Sequence, residues 1–180
     1  MKFKFYENAW IPGIKGVFYL IFGLFAFIKG STLETTSIFF DVLIILIAII
    51  YLAIGFLTKG IKNKIWIIIA GMIHLGFGIW LTLNWGNESI HLLWIITLWI
   101  IYSALTDLVE ALILYASKNV LGTLFIINMI ATLVFAYFTM MLHQNYSPDT
   151  LQYLGIVAIM AGLITEGSGF IISQSRFIAE

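Results

Sequence analysis

Long apolar stretches fill almost the whole chain, and short polar segments separate them. The clearest stretch runs from Ile65 to Asn87 without a single formally charged residue. A helix rises about 1.5 Å per residue, so about 20 apolar residues are needed to cross the hydrocarbon core of a bilayer. Six stretches come near this length, at residues 10–28, 38–58, 65–83, 90–116, 120–142 and 150–173. The pattern therefore predicts six transmembrane helices.

The composition excludes a water-soluble globular domain. Hydrophobic residues make up 62% of the 180 residues and charged residues 10%, which is far below the charged fraction of about a quarter in soluble domains. Strands of a membrane barrel would alternate polar and apolar residues, whereas these stretches are continuously apolar. We predict an all-α polytopic membrane protein, with residues 1–180 forming a single transmembrane domain.

The basic residues predict the orientation, because cytoplasmic loops are enriched in lysine and arginine. With both termini in the cytoplasm, Lys29 is left beside an outer loop. Seven basic residues then lie on the cytoplasmic side, namely Lys2, Lys4, Lys59, Lys62, Lys64, Lys118 and Arg176. The net charge is zero and there is no long basic run, which argues against nucleic acid as a partner. The expected partner is the lipid bilayer, with a second copy or another membrane protein left open.

An internal repeat relates the predicted helices. A tryptophan and two glycines of the first stretch recur 55 or 56 residues later in the third, and an acidic residue of the fourth recurs 56 residues later in the sixth. These pairs are Trp10 and Trp66, Gly16 and Gly71, Gly23 and Gly78, and Glu110 and Glu166. The spacing predicts three helical hairpins near residues 10–60, 65–118 and 119–176, which all run in the same sense across the membrane.

These motifs resemble a known family. A tryptophan followed by a Gly-x6-Gly helix, a short outer loop and a second helix ending in a segment such as Thr106–Ala111 (TDLVEA) is similar to the HdeD family, or DUF308 repeat, of bacterial inner-membrane proteins. The resemblance implies a location in the inner membrane and a link to resistance against acid or envelope stress. It implies no catalytic residues.

Six of the polar residues inside the predicted spans are the candidates for a site. An ionisable side chain costs a few kcal/mol at membrane depth, so each one needs a partner, water or a neutral form. The set is Lys15, His74, Asp107, Glu110, Asn128 and Glu166. Lys15, Glu110 and Glu166 fall near one depth, which permits an ion pair between the lysine and one glutamate. Either the groups pair as links between helices, or they line a water-filled vestibule that carries protons or a cation.

His74 shares a helix face with Gly71 and Gly78, so we expect it to face the inside of the bundle. Its predicted hydrogen-bond partner is Asn128, at a similar depth in the fifth span. The histidine is either a neutral ring bonded to a neighbouring hydroxyl or carbonyl group, or a proton relay.

Small residues are predicted to let the helices approach closely. The packing glycines are Gly16, Gly23, Gly71, Gly78, Gly155, Gly162 and Gly169. The chain has no cysteine and carries no catalytic or phosphate-binding motif, so we expect no enzyme, cofactor or metal site. The predicted function is that of a non-enzymatic inner-membrane stress protein, and the alternative is a small proton or solute channel.

Overall fold

The computed structural model describes residues 10–29, 32–57, 64–84, 89–116, 120–144 and 147–174. Nearly all of these residues are helical, and the predicted all-α class is confirmed. The helices are α1 (Trp10–Lys29), α2 (Leu33–Leu57), α3 (Lys64–Leu83), α4 (Ser89–Ala116), α5 (Gly122–Gln144) and α6 (Pro148–Gln174). Six of the seven basic residues that predict the orientation lie outside the described residues, and Lys64 is the exception.

Within the described ranges, five helices, α2 to α6, are long and apolar enough to cross a membrane. Helix α1 contains a shorter apolar segment, Pro12–Ile28. The chain is therefore a multi-pass membrane protein, because side chains such as Phe56, Ile65 and Leu163 remain exposed on helices of this length. A count of six crossings and the three-hairpin repeat stay predictions.

Helix α2 begins at Leu33, five residues before the predicted stretch. The Thr32 hydroxyl caps it by accepting a hydrogen bond from the backbone N–H of Thr35 at 3.1 Å. Ser147 caps α6 in the same way, accepting from the N–H of Thr150 at 3.1 Å. Such caps satisfy N–H groups that have no partner within the helix. The polar residues after Thr32 are therefore the first turn of a helix, and the predicted start of the second stretch at residue 38 was wrong by five residues.

Each even-numbered helix packs most closely against the odd-numbered helix that follows it, and α6 returns to α1. The close pairs are α2 with α3, α4 with α5, and α6 with α1, whereas α1 with α2 and α3 with α4 contact each other much less. The closest packing therefore joins helices of different predicted hairpins, although α5 and α6 of the third predicted hairpin also contact each other.

Helices α1 and α6 run antiparallel with their backbones in contact. A Cβ atom on Gly16 would lie 2.9 Å from the carbonyl oxygen of Gly162, and one on Gly23 would lie 2.6 Å from that of Gly155. These distances leave no room for a side chain. Gly169 on α6 is also buried.

Glycines make the contact between α2 and α3 as well, but there they meet side chains. A Cβ atom on Gly71 would lie 2.9 Å from Cγ of Leu52, and one on Gly78 would lie 2.6 Å from Cγ1 of Ile45. Both neighbours are branched apolar side chains of α2.

Five buried aromatic rings from α1, α2, α4 and α5 form a closed circuit, which we call the aromatic core. The centroid distances are 6.2 Å from Tyr19 to Trp99, 5.2 Å from Trp99 to Phe40 and 4.7 Å from Phe40 to Phe22. Phe22 lies 5.9 Å from Phe135, which lies 5.5 Å from Tyr19. Most of these contacts are edge-to-face, a favoured geometry for aromatic pairs.

Candidate functional site: buried polar groups in the bundle

A buried ion pair joins α1 to α4. The Lys15 ammonium lies 2.7 Å from Oδ1 of Asp107, and each side chain is 4% exposed. The ammonium also donates to the Ser103 carbonyl oxygen at 3.1 Å and to the Thr106 hydroxyl at 3.3 Å. Three acceptors match the three N–H donors of a lysine.

The partner of Lys15 is Asp107, and neither Glu110 nor Glu166, the two partners that a shared depth permitted, forms the ion pair. The register between two antiparallel helices decides this choice. Lys15 and Tyr19 are four residues apart on α1, and they meet residues four apart on α4. The lysine meets Asp107, while the Tyr19 hydroxyl donates to the Ser103 hydroxyl oxygen at 3.0 Å. Tyr19 is a site residue that the sequence analysis missed, although its spacing from Lys15 places both on one face.

Lys15 also lines a small recess, which we call the lysine recess. Its free volume is about 10 Å³, which is room for about one water molecule. Three members of the predicted set, Lys15, His74 and Glu110, therefore lie around one space. The other lining residues are Tyr51, Trp66, Ile67, Ala70 and Thr106.

His74 is buried and faces the inside of the bundle, as its spacing from the glycines predicts. Its Nδ1–H donates to the Ala70 carbonyl oxygen at 2.7 Å, since a carbonyl can only accept. Its ring packs against Tyr51, Trp99 and Tyr102, with centroids 5.1, 5.7 and 5.6 Å away. Within the described part of the chain, Nε2 has no hydrogen-bond partner.

The predicted hydrogen bond between His74 and Asn128 is not formed. Asn128 is fully buried, and its Oδ1 accepts from the Ser168 hydroxyl at 2.9 Å. Its Nδ2 has no partner among the residues that the structure describes. The reason is the packing order, because α3 lies against α2 whereas α5 lies between α4 and α6.

Glu166 lies apart from the lysine recess, on the seam between α6 and α1. A Cβ atom on Gly13 would lie 3.6 Å from its Oε2, so the carboxylate rests against the first turn of α1. Oε2 is buried and has no hydrogen-bond partner among the described residues. Glu166 and Glu110, which the repeat relates, therefore occupy different surroundings.

A second buried aspartate, Asp41 on α2, is absent from the predicted set. The Thr82 hydroxyl of α3 donates to its Oδ2 at 2.8 Å, and its Oδ1 has no partner in the described ranges. The side chain is completely buried. The signal was present in the sequence, because Asp41 interrupts the apolar run from Ile38 to Ile50.

Together these groups can link helices through charge and hydrogen bonds, and they can hold single protons or water molecules. In the described part of the chain, no three histidine or acidic side chains come together as metal ligands would. No family model, no curated protein and no solved structure matches this chain.

Proposed function

We propose that this chain is a non-enzymatic, non-conducting protein of the bacterial inner membrane, of the HdeD type, which serves in resistance to acid or envelope stress. The family and the stress role rest on the tryptophan and Gly-x6-Gly motifs of the sequence. The absence of conduction rests on the geometry of the bundle.

The observation that carries the proposal is the aromatic core. Lys15 lies one helical turn from Tyr19 on one side of this core, and Asp41 directly follows Phe40 on the other. Polar groups on the two sides are therefore separated by rings in contact. A water file would have to part these rings, and apolar interiors of this kind stay dry.

The state of Lys15 supports the same function. Its ammonium has three acceptors within 3.3 Å, so the charge is engaged in linking α1 to α4. Because the ammonium is already fully hydrogen-bonded, it is better suited to holding two helices together than to taking up a transported ion.

Proton flux into liposomes tests the non-conducting proposal. Purified protein is reconstituted in vesicles that contain a pH-sensitive dye, and an external pH jump is applied between pH 4 and pH 7. We expect the dye to respond no faster than in protein-free vesicles, with a protonophore setting the full signal. A faster response in the protein vesicles would overturn the proposal.

The stress role is tested in cells. A deletion strain is expected to survive an acid shock less well than the parent, and a plasmid carrying the chain should restore survival. Equal survival of the parent and the deletion strain under acid and under envelope stress would exclude this role.

The proposed orientation places both termini in the cytoplasm. The chain has no native cysteine, so single cysteines can be labelled without background. We expect a membrane-impermeant thiol reagent to label Glu88→Cys in intact spheroplasts and to label Lys64→Cys only after the membrane is opened. The reverse pattern would invert the orientation.

The lysine recess favours a second candidate, a small proton channel. This recess has room for about one water molecule, and its lining includes Lys15, His74 and Glu110. In the same liposome assay, this candidate requires a proton leak in the wild type that Glu110→Gln abolishes.

A further inference from the structure

Asp41 is buried on α2 at the level of the last turn of α3, with little to compensate a negative charge. It is seven residues from the start of the membrane-spanning segment Glu34–Leu57, which is about 10 Å along the helix. Its side chain is completely buried, and its one hydrogen-bond partner in the described residues is the Thr82 hydroxyl. Oδ1 has none. A bare carboxylate in such a place is costly.

The acidic, basic and imidazole groups that the structure describes on the helices around Asp41 lie away from its level. That level is marked by Thr82 on α3, by Phe22 on α1, which contacts Phe40, and by Trp99 on α4. Along each helix, the nearest of these groups is about two helical turns, or about 10 Å, from that level. Among the described side chains they are Glu34 on α2, His74 on α3, Lys15 on α1 and Asp107 on α4. The tyrosine hydroxyls of Tyr19 and Tyr102 lie nearer, three residues from Phe22 and from Trp99 along their helices. Among the described side chains, Asp41 has no cationic partner.

The hydrogen bonds around Asp41 form a chain that a protonated carboxyl group would complete. The Thr82 hydroxyl has one proton and two acceptors within reach, which are Oδ2 of Asp41 at 2.8 Å and the Gly78 carbonyl oxygen at 3.0 Å. An ionised Asp41 competes with that carbonyl for this single proton. A protonated Asp41 adds the missing donor.

We propose that Asp41 is a proton-binding site in the interface between α2 and α3. The bound proton sits on Oδ2 and is donated to the Thr82 oxygen, and the Thr82 proton is donated to the Gly78 carbonyl oxygen. Oδ1 then is the carbonyl oxygen of a neutral acid, for which burial without a partner costs less than for a carboxylate oxygen. Gly78 leaves room for it, since a Cβ atom there would lie 3.6 Å from Oδ1.

The proposal gives the bundle a proton-dependent stability. Above about pH 4 an unfolded aspartate has released its proton, whereas the folded chain retains it. Folding then takes up a proton, so stability falls as the pH rises. Release of the proton from the folded chain would place an unpaired charge between α2 and α3 and loosen their contact.

The experiment compares Asp41→Asn with the wild type by reversible unfolding in mixed detergent micelles at several pH values. The amide has the shape of the acid and can donate to Thr82, so we expect a folded variant with an unchanged midpoint at acid pH. As the pH rises, the wild-type unfolding constant should increase by up to about tenfold per pH unit relative to Asp41→Asn, the limit for one proton.

Asp107→Asn is the matched control, because it removes the charge from an aspartate that does have a cation. It should be destabilised at every pH, since it leaves the Lys15 ammonium without its counter-ion. The proposal is overturned if Asp41→Asn is destabilised at acid pH as much as Asp107→Asn, or if its pH dependence equals that of the wild type.

Infrared spectroscopy gives a second readout that does not depend on unfolding. The wild type should show the carbonyl stretch of a protonated carboxyl group, and Asp41→Asn should lack that band. Thr82→Val removes the acceptor and should shift the band. If Asp41→Asn does not fold, the wild type is compared with Thr82→Val instead. A carboxyl band at the same position in both proteins would contradict the proposal.

Discussion

Helices α1 and α3 carry the same Gly-x6-Gly motif, yet they meet the rest of the bundle through different chemistry. Helix α1 reaches a buried aspartate with a lysine, since Lys15 lies 2.7 Å from Asp107. Helix α3 reaches one with a hydroxyl, since Thr82 lies 2.8 Å from Asp41. The first carboxylate is compensated by charge, and the second has one neutral donor. The shared motif thus accompanies close helix approach in both places, while the group that faces the carboxylate differs, an ammonium for Asp107 and a hydroxyl for Asp41.

The glycines of the two helices differ in what they meet. Those of α1 lie against backbone atoms of α6, whereas those of α3 lie first against the side chains of Leu52 and Ile45 on α2, with the backbone nitrogen of Leu52 slightly farther from Gly71. A side chain can rotate to relieve a clash, but a helix backbone must move as a whole. We therefore expect the α1 interface to be the less tolerant of the two.

The largest expected effect comes from breaking the ion pair. Lys15→Met leaves Asp107 buried without a counter-ion, which costs about 3 to 5 kcal/mol in soluble proteins. The cost in the bilayer should lie at or below the lower end of this range, because the unfolded chain in the membrane also finds partners. Reversible unfolding in mixed micelles measures it.

Two further variants test whether the unpaired charge of Asp107 causes the loss of stability in Lys15→Met. Lys15→Met combined with Asp107→Leu removes both charges and should recover most of the lost stability. On α3, Thr82→Val should cost about 1 kcal/mol, the value of an ordinary hydrogen bond. If Lys15→Met costs no more than Thr82→Val, the contrast between the two aspartates does not hold.

The next effect compares one glycine from each helix. Gly16→Ala places a Cβ atom 2.6 Å from the backbone nitrogen of Glu166 and should cost about 1 to 3 kcal/mol. Gly71→Ala clashes first with Cγ of Leu52 and should cost less. Thermal unfolding in detergent distinguishes the two variants.

Gly76→Ala is the control for helix propensity, because a Cβ atom there has nothing within 4 Å. It should leave stability unchanged or raise it by up to about 1 kcal/mol. Equal losses for Gly16→Ala and Gly71→Ala would show that the two interfaces are equally rigid.

The smallest effect concerns the second link between α1 and α4. Tyr19→Phe removes the hydroxyl that donates to Ser103 and keeps the ring in the aromatic core, so it should cost about 1 kcal/mol. Ser103→Ala should cost a similar amount, and the double variant should cost less than the sum of the two. Strict additivity in unfolding measurements would mean that this bond contributes nothing.

The sequence predicted the elements well because each helix in lipid must be long and apolar over its own length. The start of α2 was the exception. Glu34 and the threonines beside it are polar, yet the Thr32 cap makes them helical. A polar first turn cannot be told from a loop by hydropathy, since the cap depends on a local hydrogen bond.

The sequence could predict which residues belong to the candidate site but not which of them contact each other. Lys15, His74 and Asp107 stand out as polar residues in apolar stretches, and all three are buried. Their partners depend on which faces of the helices meet and in which register. Lys15 forms an ion pair with Asp107, and His74 donates a hydrogen bond to the Ala70 carbonyl oxygen. Tyr19 could not be assigned without that register.

The amino-acid sequence alone determined that this protein lives in lipid, that it is built from helices and that a few polar side chains must turn inward, because these are properties of each segment and its solvent. The tertiary structure decided that one buried aspartate has a lysine and the other a threonine. That choice is a contact between segments more than 40 residues apart in the sequence, and only their packing brings them together.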